Sequence, residues 1–422
     1  MKKLSILIAF LMLLSLTGCG AADAGLLDGV TPAGTGDATD AAEPVADFTA
    51  GLFAHLYDGG DTLVSPVSVL AALSMAEAGA GGDTLVSPVS VLAALAMAEA
   101  GAGGDTLAQM EAVFGVDAQT MRAALAAYMS SVAGTETKIA NSIWLRDDGT
   151  FEPDPDFLAG CASFAGADVF AREFDNAAKD EINAWVSEHT DGMIDEIVDE
   201  IPQDAVMYLV NALAFDAAWE NEYQGYQVQD GVFHAADGGK AVQMMYGDES
   251  TYLSGEGFTG FMKPYEGGRY AFAALLPDEA IGLDGLVASL TGEAISAALT
   301  NAEATAVETV MPSFSSEYEA ELSRALSELG MPDAFDGAKA DFGGMGRSTL
   351  GNLYINRVLH KTFIDVTPLG TRAGAATAVE VNAESAVLVE KSVVLDRPFL
   401  YMIVDTEYNI PLFIGAMTGE GL

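Results

Sequence analysis

The sequence predicts a large α+β fold, because helical and strand-like segments are mixed without the regular alternation that a doubly wound sheet needs. Helical periodicity is found in three segments, 44–58, 178–198 and 317–331. Strand-like apolar runs are found at 205–219 and 269–279, and 397–418 is typical of a hairpin of two buried strands. Half of the 422 residues are hydrophobic, so the chain can bury a large core.

Local signals set the expected ends of these elements. The second helical segment is expected to end or turn at Asp191-Gly192. The third is expected to stop at Gly330. The hairpin is expected to turn near Asn409, between its two apolar runs.

The charge balance argues against binding to nucleic acid or to anionic lipid headgroups. The formal net charge is −44, from 62 acidic and 18 basic residues, and this surface repels both polyanions. It attracts cationic partners and speeds their encounter. No acidic block stands out, so the acidity is interpreted mainly as a determinant of solubility. The histidines are scattered, and neither a metal site nor a cofactor site is indicated.

The first nineteen residues are typical of a bacterial lipoprotein signal. A basic start precedes an apolar run, 4–16, that is too short for a comfortable membrane span. Residues 16–19 (Leu-Thr-Gly-Cys) resemble the lipobox, whose cysteine becomes diacylated. We expect 1–18 to be removed, Cys19 to be lipidated and 19–43 to form a flexible tether. The expected location is the extracellular face of the membrane, reached only through the lipid, or the medium after release.

Residues 60–81 and 82–103 form a tandem repeat that differs only at Ser74 and Ala96. Each copy is expected to form a short strand, a Ser-Pro helix start and an apolar core helix. Two copies are too few for a solenoid. The repeat is interpreted as a recent duplication or a sequence assembly error. Cys161, in an apolar stretch and without a second cysteine once Cys19 is lipidated, is expected to be a buried structural thiol.

Six motifs occur in an order that indicates one family. They are LVSPVSVLAALAM, IANSIWLRDD, LVNALAFDAAW, VMPSFSSEYEAELSRALSELGMPDAF, VLHKTFIDVTPLGTRAGAATAVEV and RPFLYMIVDTEYNIPLFIGAM. From residue 44 to the C-terminus the chain therefore resembles the serpins. The resemblance implies a single domain over 44–422, with three β-sheets, about nine helices and an exposed reactive-centre loop. It overrides the two or three domains that length alone favours at about 150 residues each.

The resemblance places the loop hinge at Gly370, Thr371, Ala373, Gly374, Ala375, Ala376 and Thr377. Alternation along a strand puts an uncharged set on one face, Thr371, Ala373, Ala375, Thr377, Val379, Val381 and Ala383. The charges of Arg372 and Glu380 fall on the other face. One face can thus be buried without stranding a charge. Pro368, Leu369 and Arg372 depart from the family's acidic or polar preference. Pro368 is expected to stiffen the hinge, and Arg372 is expected to be harmless on the solvent face.

The family's spacing places the reactive bond at Glu384-Ser385, which suits a glutamate-specific protease. The stretch from Ser385 to Pro398 is longer than in typical members, so a shifted register stays open. Cutting after Ala383 or Val387 suits an elastase-like protease.

A second set of residues is expected where the strands of the main sheet part. By resemblance, His360 hydrogen-bonds Asn211 and a serine, and Trp219 lies near the top of the sheet, where insertion begins. The serine is one of four, Ser87, Ser90, Ser65 and Ser68. The second copy is preferred because it runs directly into GGDTLAQMEAVFG, as the family does.

The resemblance implies an inhibitor of serine proteases and not an enzyme, and no catalytic residues are assigned. A protease attacks the loop and forms an acyl-enzyme, the freed hinge inserts into the main sheet, and the protease is trapped in a covalent complex. A monomer without cofactors is expected. The alternative is a non-inhibitory member that acts as a surface binding protein, and an enzyme is the least favoured reading.

Overall fold

A computed structural model describes residues 42–56, 84–371, 391–419 and 422 of the chain. Its nine α-helices within these ranges are α1 (Ala42–Leu56), α2 (Pro88–Glu99), α3 (Gly104–Phe114), α4 (Ala118–Val132), α5 (Pro155–Ala165), α6 (Asn176–His189), α7 (Gly282–Ser289), α8 (Gly292–Thr300) and α9 (Ser323–Leu329). Short 3₁₀ turns lie at Gly225–Gln227 and Pro332–Phe335. Within the same ranges, none of these helices has the length and apolar character needed to cross a bilayer.

The strands in the described ranges are β1 (Thr84–Val86), β2 (Thr137–Arg146), β3 (Phe151–Pro153), β4 (Asp168–Arg172), β5 (Met207–Phe215), β6 (Ala217–Ala218), β7 (Val228–Ala235), β8 (Gly238–Gly255), β9 (Phe258–Pro264), β10 (Tyr270–Pro277), β11 (Glu303–Pro312), β12 (Phe314–Glu321), β13 (Gly346–Ser348), β14 (Leu359–Thr367), β15 (Gly370–Thr371), β16 (Lys391–Val394), β17 (Phe399–Asp405) and β18 (Ile410–Met417).

These strands form sheets that helices cover. The largest sheet has the order β1-β18-β17-β10-β9-β8-β11-β16, with β7 added on β8. A four-stranded sheet, β12-β14-β15-β6, and a three-stranded sheet, β4-β2-β5, are continuous where β6 follows β5, and together they are called the main sheet here. A small β13-β3 pair completes the set. This mixed architecture confirms the predicted α+β class.

Several predicted elements are confirmed. The run 205–219 forms β5 and β6, and 269–279 contains β10. The C-terminal hairpin pairs β17 with β18, and Asn409 turns it with a φ of 56°. Helix α6 ends before Asp191, whose φ is 51°.

The predicted helix at 317–331 is wrong over its first part, which is strand β12. Phe314, Ser316 and Tyr318 are buried while the residues between them are exposed, so the apolar period here is two. Only Ser323–Leu329 is helical, and Gly330 ends it as expected.

The helix beneath the main sheet comes from the second repeat. Ser87 caps α2 by accepting a hydrogen bond from the Ser90 backbone N–H at 3.4 Å, and Pro88 takes the first helical position. Helix α2 is buried on nearly all sides and packs against β5 and β18. Residues 60–81, the first copy, lie outside the described residues, as do the expected signal segment and Cys19.

Cys161 on α5 is a free thiol that is fully buried, and burial raises its pKa to about 12. Its thiolate is therefore disfavoured at neutral pH. The prediction of a structural thiol is confirmed.

Candidate functional site: an opening in the main sheet

The main sheet is open between β5 and β14. Strand β5 pairs with β2 on one side, and β14 pairs with β12 on one side. In the part of the chain that the structure describes, the facing edges of β5 and β14 are not paired with each other. Each edge therefore presents backbone N–H and C=O groups that an additional strand can bind.

A cavity of about 270 Å³ lies in this opening. Its walls are residues 207–211 and 213 of β5, residues 359–362 of β14, and one side of helix α2. Residues 350–358 also line it. The apolar floor and the polar strand edges suit the insertion of a peptide strand.

Gly370 and Thr371 close the upper end of the opening. They pair with Val366 and Thr367 of β14 on one side and with β6 on the other. Thr371 is 2% exposed, and its hydroxyl lies 2.5 Å from the Tyr265 hydroxyl. The first two residues of the predicted hinge thus already form a strand, β15, of the main sheet.

Trp219 fixes the turn that leads into these two residues. Its indole Nε1 donates to the Thr367 carbonyl at 2.9 Å, and its backbone N–H donates to the Leu369 carbonyl at 2.9 Å. The backbone N–H of Tyr223 donates to the Pro368 carbonyl at 2.9 Å. Pro368 and Leu369, two of the three residues that depart from the family preference, therefore contribute carbonyls to this turn.

A buried ion pair lies next to the ring of Trp219. Lys263 Nζ lies 2.8 Å from Glu249 Oε1, and both side chains are nearly fully buried. Burial raises the pKa of Glu249, although Lys263 opposes this shift. Lys263 also lies over the rings of Trp219 and Tyr223, at 5.3 and 4.3 Å from their centroids.

Glu249, Lys263 and Tyr265 are not among the residues that the sequence motifs indicate. Tyr265 stacks on Trp219 with 4.5 Å between ring centroids. One signal was available, because Lys263 is the single charge in the apolar run FTGFMKP. A lysine at such a position needs a buried acceptor.

The structure brings Ser87, Ser90, Asn211 and His360 to the cavity, but it joins them differently from the expectation. His360 Nε2 accepts a hydrogen bond from the Ser87 backbone N–H at 3.1 Å. Asn211 donates to Asn141 of β2 at 2.8 Å and not to His360. Among the described residues, Asn211 Oδ1 has no hydrogen-bond partner.

The opening itself explains this difference, because Asn211 and His360 lie on the two strands that have parted. His360 is 5% exposed, and burial lowers its pKa to about 4, so its imidazole is neutral. An unpaired amide oxygen and a neutral imidazole next to a cavity are groups that an incoming strand can satisfy.

The remaining predicted loop residues lie outside the described residues, Ala373, Gly374, Ala375, Ala376, Thr377, Ala383, Glu384, Ser385 and Val387. The chain re-enters the structure as β16, which pairs in parallel with β11. The two ends of the loop are thus held by different sheets.

Comparisons with known proteins agree on one family. A model of the serpins (serine protease inhibitors) matches residues 83–419. Serpin B8 of Homo sapiens is 34% identical over 298 residues, which are 68% of this chain and 78% of that protein. Leukocyte elastase inhibitor A of Rattus norvegicus is 31% identical over 298 residues, 66% of this chain and 76% of that protein.

Solved structures confirm the fold that the resemblance implies. The thermophilic serpin tengpin in its native state is 37% identical, with a TM-score of 0.82 over 94% of this chain and 99% of that one. Tengpin in its latent state is 36% identical, with a TM-score of 0.76 over 90% of this chain and 97% of that one. The protein described here is thus more similar to the native form.

Proposed function

Because the chain belongs to the serpin family, we propose that it is a single-use inhibitor of serine proteases, which traps its target when the cleaved loop enters the main sheet. The opening between β5 and β14 carries this proposal. Two unpaired strand edges face a cavity, and Gly370-Thr371 already pairs with both sides at its upper end. Extending this pairing into 372–383 would convert two open edges into a continuous sheet.

The side chains of the loop fit that movement. The face that starts at Thr371 is uncharged through Ala383, whereas Arg372 and Glu380 lie on the other face. Pairing would bury the uncharged face over α2 without the cost of burying a charge. Cleavage frees the strand to move, because before it both ends of the loop are fixed in different sheets.

The target class follows from the loop residues. A cut at Glu384-Ser385 suits a glutamyl-specific protease, and a cut after Ala383 or Val387 suits an elastase-like one. A relative at 31% identity carries the name leukocyte elastase inhibitor, which supports the elastase-like class. In this proposal the protein is a monomer that leaves the cell with a lipid on Cys19 and meets its target outside the membrane.

A pair of neighbouring variants tests the insertion step. Ala375→Asp places a charge on the face to be buried, and Ala376→Asp, its matched control, places the same charge on the opposite face. With an elastase-like and a glutamyl-specific protease, the wild type and Ala376→Asp are expected to form SDS-stable complexes. Ala375→Asp is expected to be cut as a substrate.

Heat resistance gives a second measurement of the same step. The nicked wild type is expected to melt well above the intact protein, since a new central strand closes the sheet. Nicked Ala375→Asp is expected to lose most of that gain. If neither protease forms a complex and nicking leaves the melting temperature unchanged, the chain is a non-inhibitory member and the proposal is wrong.

A further inference from the structure

Charged side chains lie on both edges of the opening, on the face of the main sheet that points away from α2. Along β14 buried and half-buried residues alternate, and Asp365 belongs to the half-buried set. On the other edge Asp216 lies between β5 and β6, and it is exposed whereas Phe215 and Ala217 beside it are buried. Asp216 and Asp365, called the upper carboxylate pair here, therefore flank the upper end of the opening on its outer face.

The pairing of Thr371 fixes the register that a longer strand would follow. Thr371 pairs with Val366 on one side and with Ala217 on the other, and both ladders are antiparallel. The Asp216 backbone N–H donates to the Glu136 carbonyl at 3.3 Å, which continues the pairing of β5 with β2 as far as β6. Each residue after Thr371 therefore moves one position back along both edges.

Arg372 is the first residue that this register places in the opening. It would pair with Asp365 on one edge and lie opposite Asp216 on the other. Thr371 faces inward and is 2% exposed, so the residue after it faces outward, together with the residues it pairs with. The sequence predicts only that Arg372 is harmless there, whereas the two edges supply it with opposite charges.

Glu380 meets complementary groups at the lower end in the same register. Eight positions further along, it would lie between Arg357, just before β14, and Tyr208 of β5. Arg357 Nη1 now lies 3.1 Å from Asp199 Oδ1. The Tyr208 hydroxyl donates to the Glu200 carbonyl at 3.3 Å. Arg357 and Tyr208, called the lower donor pair here, can exchange these partners for the incoming carboxylate.

The buried face gives an independent check of this register. Thr377 would lie between His360 on β14 and Asn211 on β5, and after Thr371 it is the one polar residue of the uncharged face. Among the described residues, Asn211 Oδ1 lacks a hydrogen-bond partner, and a threonine hydroxyl can donate one. A shift by two residues in either direction would put an aliphatic side chain there. The charged rows and the buried face therefore select the same register.

We propose that Arg372 and Glu380 are positioning residues of the loop, and that they bind the upper carboxylate pair and the lower donor pair once the loop enters the main sheet. This inference rests on the proposed function and names the residues that fix the register of its insertion step. Because Arg372 is the first residue to enter, its attraction to two carboxylates favours insertion over hydrolysis of the acyl-enzyme. Like charges at the same paired positions would oppose insertion.

Exchange of the two loop charges, Arg372→Glu/Glu380→Arg, tests this assignment. The exchange keeps the composition and net charge of the chain and reverses the sign at both ends. A rescue variant adds Asp365→Arg, which restores one attractive pair. Its charge-matched control adds Asp147→Arg instead. Asp147 is exposed and follows β2 at the lower end of the sheet, roughly 30 Å from Asp365 along the strands.

The first measurement is the gain in melting temperature on nicking, in guanidinium chloride. Because the gain is the difference between nicked and intact forms of one variant, an effect on the starting fold is subtracted. The gain of the exchange variant is expected to be about 3 °C smaller than that of the wild type. The rescue variant is expected to recover part of this difference, and the control none.

The second measurement is the ratio of cleaved to complexed protein after reaction with an elastase-like protease. This ratio compares hydrolysis with insertion and does not depend on how fast the protease attacks the loop. It is expected to be about fivefold higher in the exchange variant than in the wild type. Adding Asp365→Arg is expected to lower it again, whereas adding Asp147→Arg is not.

An exchange variant that equals the wild type in both measurements would overturn the assignment, as would a rescue by Asp147→Arg equal to that by Asp365→Arg. The proposed function fails separately. A wild type that gains heat resistance on nicking but traps no protease would retain the register and lose the inhibitor. A wild type without that gain would end both.

Discussion

Glu99, at the end of α2, is a buried carboxyl group that no hydrogen bond satisfies within the described residues. It is 1% exposed, and within the described residues both of its carboxyl oxygens lack hydrogen bonds. Burial raises its pKa from 4.5 to about 7; Arg122 opposes the shift, and Glu111 and Asp117 add to it. The carboxyl group is therefore protonated in the folded protein at pH values where the unfolded chain has already ionised.

The sign of the pH dependence follows from this difference. Because the pKa of Glu99 is raised in the folded state, its contribution to the free energy of unfolding is largest below pH 4.5, where the carboxyl group is protonated in both states. This contribution is lost as the pH rises to about 7. A difference of about 2.5 pKa units corresponds to about 3 kcal/mol in the free energy of unfolding. For a domain of about 380 residues, this equals a shift of about 4 °C in melting temperature.

Glu99→Gln tests this reasoning, because the amide keeps the shape of the neutral acid and cannot ionise. Melting temperatures are measured at a fixed scan rate from pH 4.5 to 8 for the wild type, Glu99→Gln and the exposed control Glu188→Gln. Glu99→Gln is expected to match the wild type at pH 4.5 and to melt about 4 °C higher above pH 7. A constant offset between the two curves, or an equal gain in the control, would refute the argument.

Three further predictions concern the opening and the repeat. Burial lowers the pKa of His360 to about 4, so the stability that its neutral imidazole contributes is lost as the pH falls from 6.5. The side chain in His360→Gln does not titrate. Between pH 7 and 4 this variant should therefore lose about 3 kcal/mol less in the free energy of unfolding than the wild type, as melting at each pH can show. Lys263→Met leaves Glu249 buried and unpaired and should lower the free energy of unfolding by about 3–5 kcal/mol, measured by denaturant unfolding. The double variant Lys263→Met/Glu249→Gln should recover most of this loss. Deleting residues 60–81 should leave the melting temperature and the inhibition rate unchanged, because the second copy alone supplies α2; a loss of either would show that the first copy takes part in the fold.

The sequence predicts the elements whose patterns are local. The hairpin β17–β18, the Ser-Pro start of α2 and the turn after α6 each depend on a few adjacent residues. The sequence predicts a helix over the later part of strand β12 because Tyr318, Leu322 and Leu326 also fit a helical spacing. Eight pairs with β14 decide in favour of the strand, and that partner lies some forty residues further along the chain.

The candidate site is predictable only in part, because some of its residues belong to recognisable motifs while others meet across distant parts of the chain. Ser87, Asn211 and His360 belong to motifs on which the family resemblance rests, so the sequence indicates all three. Tyr265 contacts Thr371 across 106 positions of the chain, and no local pattern connects them. The separation of Asn211 from His360 depends on whether the sheet is open, which is a property of the conformation and not of either residue.

The C-terminal anchorage of the loop means that cutting the chain does not release a peptide. The part of the chain that follows the proposed reactive bond contains β16, β17 and β18, and the last two are interior strands of the largest sheet with every residue buried. Cleavage thus yields a two-chain molecule that stays assembled by non-covalent contacts. A fragment of fewer than forty residues should appear only in denaturant, and it should co-purify with the main body in ordinary buffer.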